Sequence, residues 1–364
     1  MIVVIADDLS GAAELANVAL QAGLSADVQL QFDATSDADV VCISTDTRSG
    51  DAPHAAAVIE EVARAVSAAS PGFIYKKCDS LLRGWVAEEA LALARVLGHK
   101  RILIVPANPS RHRVIHDGTY FIGDTPLADS VVADDPDHPR RSSRIADLVD
   151  VAHGIEIPNV TSLDDVRRHA LSVDEDTLPV GAADFFAALL DIRGLSPRLR
   201  RDIPESTGTS LYLCGSKAAQ LARGNSQFDR HGIPIVAMPD EILRQHVAPA
   251  VLAQWAAAVT RVLHDHGKAL MTTIVDEPEP GVTTAMLTER FAEAAALVVQ
   301  DQSVGRVLVE GGNTATAVVQ RLGFAQFRAR LSPGPGVGAL CPMRRSTVMF
   351  LVKPGSYVWP ESVF

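Results

Sequence analysis

Short apolar runs alternate with stretches of helical periodicity through the first half of the chain. "MIVVIA", "ADVQL", "DVVCIST", "FIYKK" and "RILIVPA" are too short for helices and rich in β-branched residues, so they read as buried strands. Between them apolar positions recur at helical spacing over 11–22, 53–69 and 85–97. This alternation predicts βα units and a mostly parallel sheet with helices on both faces. After residue 210 the pattern resumes with "SLYLCGS", a helix to about Arg230, "IPIVAM", helix 249–266, "KALMTTI", helix 284–299, "RVLVEGG" and helix 314–322. The stretch from Asp117 to Arg144 is rich in turn residues. Its "FIGDTPL" predicts a small hairpin around Gly-Asp, whereas "DDPDHPRRSS" is too rich in Pro and Asp for regular structure. A shift toward Arg, Pro, Ser and Thr over 193–210 marks a boundary. The expectation is an α/β protein of two domains, 1–205 and 206–364. Each would be a mostly parallel sheet flanked by helices, with the active site in the interdomain cleft. No internal sequence repeat is visible.

Composition narrows the functional classes. The 364 residues are 47% hydrophobic and 21% charged, the balance of a globular protein. A formal net charge of -11 and a pI near 5.4 argue against nucleic acid or an anionic membrane as partner. Aromatic residues, at 5%, leave little for a base-stacking platform. Local basic clusters remain at Arg111–Arg113 and Arg140–Arg144. Cys42, Cys78, Cys214 and Cys341 form no CxxC pair, which fits reduced thiols rather than a disulfide or zinc framework. The N-terminal stretch carries no signal-peptide pattern, and no run approaches about 18 apolar residues. A cytoplasmic protein is expected, and nothing in the sequence decides between a monomer and a homodimer.

The chemistry sits where strands end. "IADDLSG" places Asp7 and Asp8 between the first strand and a helix that Ser10 can cap. Ligands of open α/β sheets bind at the carboxyl ends of strands, and side-chain alternation predicts that only one of two adjacent aspartates faces a given cleft. "YKKCDSLLRG" groups Lys76, Lys77, Asp79, Ser80 and Arg83, with Gly84 suggesting close backbone approach. Guanidinium and ammonium groups suit a carboxylate substrate. An aspartate suits a hydroxyl that must attack phosphorus. In the second half four loops follow strands: Gly215 and Ser216, Gly311–Gly312 before a helix, Gly334, Gly336 and Gly338 between prolines, and Lys353 with Gly355. Glycines beside a helix N-terminus accommodate phosphate, although a plain turn and cap use the same residues. None of these loops is a Walker A or a G-x-G-x-x-G fingerprint.

The ordered set "IADDLSGAAE", "STDTRS", "YKKCDSLLRG", "PANPSRHR", "DGTYFIGDTPLADS", "DDPDHPRRSS", "GGNTA", "PGPGVGAL" and "KPGSYVWP" resembles the four-carbon acid sugar kinase family from Ile2 to Phe364. The resemblance implies an acid-sugar-binding N-terminal domain and a nucleotide-binding C-terminal domain. It implies phosphorylation of a 3-oxo-tetronate, threonate or erythronate with ATP and Mg2+. By motif, Asp8, Ser10, Arg48, Lys76, Asp79 and Arg83 would line the acid side, joined by Asp7 and Gly11. Ser216, Gly311, Gly312, Asn313, Thr314 and Gly355 would hold ATP, with Gly334, Gly336, Lys353 and Ser356 beside them. No protein metal ligand is named. Asp8 is expected to position the attacking hydroxyl, with Asp79 as the alternative base, while the other aspartate of the pair orders the loop or a metal-bound water. The chain departs from the family pattern in its shorter length, in Asn313 at an acidic place, and in "KAAQLARGN" after Ser216. Two competitors remain: a non-catalytic sugar-acid sensor, and a haloacid-dehalogenase-like phosphatase. The phosphatase needs aspartates spaced by one residue, whereas here they adjoin and position 9 is leucine.

Overall fold

The structure is a computed structural model. It describes all residues except 131–132, 134–138, 152–153, 196–207, 216–225, 274–276, 301–303, 335, 345–346 and 356. The chain divides into two compact units, Met1–Arg201 and Asp202–Phe364. The boundary expected at 205/206 lies outside the described residues.

Unit 1 runs β1 (Ile2–Ala6), α1 (Leu9–Gln21), β2 (Ala26–Gln29), β3 (Val40–Ser44), α2 (Ala52–Ala68), β4 (Phe73–Lys77), α3 (Val86–Leu97) and β5 (Arg101–Val105). It continues with β6 (Arg113–His116), β7 (Thr119–Ile122), β8 (Thr125–Pro126), α4 (Ile145–Leu148), β9 (Ile155–Glu156), α5 (Leu163–Leu171), β10 (Thr177–Gly181) and α6 (Ala183–Ile192). The main sheet is parallel, in the order β2-β3-β1-β4-β10-β5-β9. Val3, Val4 and Ile5 of β1 are fully buried, as expected for a strand covered on both faces. Each contributes about 1.5–3 kcal/mol of transfer free energy. The side chains of α1 are buried from Leu9 through Asn17, because alanines and a glycine let the helix seat against β2, β3 and α6. The expected hairpin is present: β7 and β8 pair around Gly123–Asp124, and β6 extends them into a small antiparallel sheet. The sequence reading missed β10, which lies between β4 and β5.

Unit 2 runs β11 (Thr209–Cys214), α7 (Ser226–Arg230), β12 (Ile235–Ala237), α8 (Pro249–His266), β13 (Lys268–Thr272), α9 (Thr284–Val299), β14 (Val304–Glu310), α10 (Gly312–Arg321), β15 (Gln326–Arg330), β16 (Gly338–Pro342) and β17 (Met349–Lys353). Its sheet order is β12-β13-β11-β14-β17-β16-β15, parallel except for β16. Tyr212, Phe228, Leu270, Leu308, Leu351 and Trp359 form its core. The Tyr212 hydroxyl donates to the Val363 carbonyl at 2.9 Å, and its ring stacks on Phe364 at 5.7 Å.

The two units share a wiring that the sequence does not advertise. The order β2-β3-β1-β4 in unit 1 recurs as β12-β13-β11-β14 in unit 2. In each, the connection from the first strand leaves to one side and the connection from the fourth to the other. The loops diverge between those strands, which is the switch point where ligands bind in open α/β sheets. Among the described residues no helix is long and apolar enough to cross a membrane.

Candidate functional site

At the carboxyl ends of β1, β3 and β4, unit 1 gathers a cluster of buried charges. Strand β1 stops at Ala6, whose carbonyl accepts from the Thr45 amide and hydroxyl, each at 2.9 Å. The Asp7 carbonyl accepts from the Thr47 amide at 3.1 Å. This stitching carries Arg48 to both aspartates. Arg48 Nε and Nη2 donate to Asp7 Oδ2 and Oδ1 at 2.7 and 2.9 Å, and Nη1 donates to Asp8 Oδ2 at 2.9 Å. The alternation expectation therefore fails. Strand geometry ends at Ala6, and one planar guanidinium offers separate edges to two neighbouring carboxylates.

Ser10 is not the helix cap either. The helix starts at Leu9 with Asp8 as N-cap, accepting from the Gly11 amide at 2.8 Å, while Ser10 Oγ donates to Asp8 Oδ2 at 2.6 Å. A carboxylate is the better cap beside Arg48, because it serves the helix end and the guanidinium together. Gly11 is required by space: a Cβ there would lie 2.8 Å from Asp8 Oδ1 and 3.5 Å from Lys77 Nζ.

The loop after β4 supplies the rest. Lys76 is 1% exposed; its Nζ lies 2.6 Å from Glu89 Oε2 and donates to the Lys77 carbonyl at 2.8 Å. Thr47 Oγ1 donates to Glu89 Oε1 at 2.5 Å. Lys77 Nζ donates to the Cys78 carbonyl at 2.7 Å and stands 3.9 Å from Glu14 Oε2. Asp79 accepts from Arg83 Nε at 2.8 Å, from Arg83 Nη2 at 3.0 Å, and from the Leu81 and Arg83 amides. Gly84 has its close approach: a Cβ there would sit 3.3 Å from Arg48 Cγ. Arg113 Nη1 donates to Ser80 Oγ, and the Tyr120 hydroxyl donates to the Ser80 carbonyl, tying the small antiparallel sheet to this loop.

Two expected roles change on this geometry. Arg48 and Lys76, expected to grip the substrate carboxylate, are committed to protein carboxylates. Arg48 joins Asp7 to Asp8, and Lys76 balances Glu89 on α3. The protonation states follow. Burial alone would raise Asp7, but Arg48, with Lys76 and Lys77 behind it, outweighs burial and holds the carboxyl below its ordinary range. Asp79 is likewise opposed by burial, yet Arg83 and Arg48 keep it well below that range, which makes it a poor proton acceptor. Burial pushes Glu14 and Glu89 upward, in each case against a lysine partner. Burial also lifts the Cys78 thiol to about 12 despite the two lysines, so it is no nucleophile at neutral pH. The phosphatase reading loses its candidate nucleophile, because both oxygens of Asp7 accept from Arg48.

Unit 2 has a different end. Gly311 follows β14 at φ +92°, a conformation that side chains rarely adopt, and it caps α10 with no side-chain hydrogen bond. Its amide donates to the Lys353 carbonyl at 2.9 Å. The first-turn amides of a helix have no intrahelical partner, so Gly312, Asn313 and Thr314 present an N-terminus suited to an anion. Gly215, at the end of β11, closes onto this turn: a Cβ there would lie 2.7 Å from Thr314 Oγ1. Such a cradle fits the phosphates of a nucleotide. Lys353 does not take part. It pairs in register with Glu310, is fully buried, lies 3.2 Å from Glu310 Oε1, and donates to the Tyr357 carbonyl at 2.6 Å. Gly334 is small because Pro360 Cγ would meet its Cβ at 2.6 Å. Gly336, at φ +75°, turns the chain into β16, and Gly355 sits half-buried in the turn after β17. Ser216 and Ser356 lie outside the described residues.

Sequence reasoning passed over Glu14, Glu89, Thr47 and Tyr120, and read Arg113 only as part of a basic cluster. Two of them left a signal. Glu14 is the one charged residue in the α1 sequence, and Glu89 stands three residues after Val86 on the buried stripe of α3.

Comparison with known proteins agrees with this division of the chain. Residues 2–186 match the family model of a sugar-binding N-terminal domain, and residues 216–357 that of a nucleotide-binding C-terminal domain. A D-threonate kinase of Bordetella bronchiseptica is 27% identical over 353 residues, covering 88% of this chain and 84% of its own. A 3-oxo-tetronate kinase of Burkholderia multivorans is 26% identical, covering 97% and 93%. Among solved structures, a Salmonella typhimurium protein has a TM-score of 0.72 at 19% identity, covering 98% of this chain and 96% of its own. A Haemophilus influenzae protein has a TM-score of 0.67 at 21% identity, covering 98% and 97%. These two show likeness of fold. Matched along both halves by these sugar-binding and nucleotide-binding models, the chain belongs to the four-carbon acid sugar kinase family.

Proposed function

We propose that this chain is an ATP-dependent kinase that phosphorylates a hydroxyl group of a four-carbon sugar acid in the cytoplasm. The observation that carries this reading is the pair of unlike strand-end sites on one wiring. One is furnished with buried carboxylates and cations; the other has glycines closed around a helix N-terminus. The names of the relatives, kinases of D-threonate and 3-oxo-tetronate, support the same chemistry.

Roles follow from where each side chain sits and what it already holds. Arg48 fixes Asp7 and Asp8 so that the loop after β1 keeps one shape. Arg83 is likewise paired, with Asp79, but its side chain is 15% exposed against 2% for Lys76, which makes it the better placed cation for the substrate carboxylate. Gly215, Gly311 and the first turn of α10 would hold the ATP phosphates. ATP, bound with Mg2+, supplies the phosphoryl group, the metal travelling with the phosphates as Mg2+ usually does.

The test is ADP release by the purified protein with ATP and Mg2+ across 3-oxo-tetronate, threonate, erythronate and glycerate. ADP release that depends on one acid is the expected result, and it identifies the substrate. No turnover with any of them, together with no ATP binding by calorimetry, overturns the kinase reading in favour of a sugar-acid sensor.

A further inference from the structure

All the carboxylates of the unit 1 cluster but one are fastened by short contacts. Asp7 and Asp8 accept from Arg48, Asp79 from Arg83, and Glu89 from Thr47 while pairing with Lys76, at 2.5–3.0 Å. Among the described residues of the cluster, Glu14 is the exception. Its side chain is only 9% exposed, yet its nearest cation, Lys77 Nζ, is 3.9 Å away, beyond hydrogen-bond reach. Lys77 itself is turned to the Cys78 carbonyl. A carboxylate so largely buried, with its nearest cation beyond hydrogen-bond reach, is costly unless a ligand supplies a donor. The rest of the buried surface of α1 is alanine, leucine and glycine with two uncharged polar side chains, Ser10 and Asn17, so Glu14 is its one buried charge.

The place of Glu14 on α1 shows what it is aimed at. It follows Gly11 by three residues and Ser10 by four, so it shares their face of the helix. Gly11 keeps that face open, since a Cβ there would crowd Asp8 Oδ1 and fill the space beside Lys77 Nζ. The groups bearing on Glu14 come from several elements: Lys77 and the Tyr75 phenol on β4, Asp8 after β1, and Arg111 and Arg113 after β5. On α6, Asp184 bears on Tyr75.

We propose that Glu14 is the general base of the transfer, accepting the proton of the sugar-acid hydroxyl, with Lys77 as its nearest counter-charge. The proposal rests on the kinase reading and deepens it. The hydroxyl oxygen forms a bond to the γ-phosphorus of ATP, and the bond from that phosphorus to the bridging oxygen breaks. Its electron pair leaves with ADP, and the hydroxyl proton passes to Glu14. Asp8, first expected in this role, already accepts from Ser10, Gly11 and Arg48. Asp79 is held by Arg83 in its charged form. Burial raises Glu14 against the pull of Lys77, Arg113 and Arg111, toward the range in which a base works near neutral pH.

The experiment compares wild type, Glu14→Gln and Glu14→Asp in the full chain, using whichever acid of the panel the wild type turns over. In Glu14→Gln, kcat should fall about 100- to 10,000-fold. The KM for the acid, and its Kd by calorimetry without nucleotide, should move less than about threefold. Glu14→Asp should recover part of kcat, and the acidic limb of the wild-type kcat profile should vanish in Glu14→Gln. Glu14→Gln activity within about threefold of an active wild type overturns the base role alone. So does a loss of acid binding that matches the loss of rate. A wild type inactive on every acid overturns the kinase reading and this proposal with it. Should Glu14→Gln fail to fold, the wild-type profile decides: kcat falling with unit slope toward acid while acid binding stays level supports the base, and a flat kcat overturns it.

Discussion

Arg48→Ala should destabilise unit 1 and change its response to mild acid. Arg48 is buried and neutralises two adjacent aspartates that are 4% and 1% exposed. Removing one partner of a buried ion pair costs about 3–5 kcal/mol. At about 2–4 °C per kcal/mol for a unit of this size, the melting midpoint should drop by about 6–20 °C. The pH dependence is the sharper readout. In the wild type the folded Asp7 carboxyl lies below the ordinary aspartate value of 3.8, so its stabilisation is present above that pH. It is lost only as pH falls through the lower folded value, and Asp7 adds no slope between pH 7 and 5. In the variant, burial is no longer outweighed and the Asp7 carboxyl rises. A raised carboxyl favours the protonated folded state, so Arg48→Ala should become more stable as pH falls from 7 toward 5. Peptide-resolved hydrogen exchange of Ile2–Ala6 across a urea series isolates unit 1, because those amides sit in the centre of its sheet. A variant within about 1 kcal/mol of wild type at pH 7 would refute the ion-pair reasoning. So would one that shares the wild-type slope between pH 7 and 5.

Two further substitutions probe unit 2. Gly215→Ala puts a Cβ 2.7 Å from Thr314 Oγ1, so it should weaken nucleotide binding by at least about tenfold while costing about 1–3 kcal/mol of stability; unchanged ATP affinity by calorimetry would remove the phosphates from this turn. Lys353→Met removes the buried cation 3.2 Å from Glu310 and should cost about 3–5 kcal/mol, most of it recovered in Lys353→Met with Glu310→Gln. Loss of ATP affinity without loss of stability in urea would instead return Lys353 to the phosphate site.

The frame of both units was legible because it rests on local periodicity. Strand β1 and the helices α2, α3, α8 and α9 stand within a residue or two of where apolar spacing put them. Strand β10 was hidden by its own sequence: Pro179 and Gly181 in "TLPVG" are breaker signals, and only burial between β4 and β5 makes that segment a strand. Strand β16 was masked in the same way by the glycines and prolines before it. At the site, residue types and strand-end positions could be read, but partners could not. Arg48 stands 41 and 40 residues from the two aspartates it joins, and no local pattern encodes such a pairing. That is also why Lys353 looked like a phosphate ligand. A lysine at a strand end reads as available until its neighbour in the sheet, Glu310, is known.

The repeated four-strand order means that, on the proposed reading, an acid-sugar holder and a nucleotide holder share the layout of their first four strands and differ in the turns that follow them. Whatever alters the turns after β1 and β4 leaves the order of β12, β13, β11 and β14 untouched. On that reading the turns that choose the acid and the turns that hold the phosphate donor lie in different units, so one set can change without the other. Related kinases named for different four-carbon acids are what such a division would leave behind.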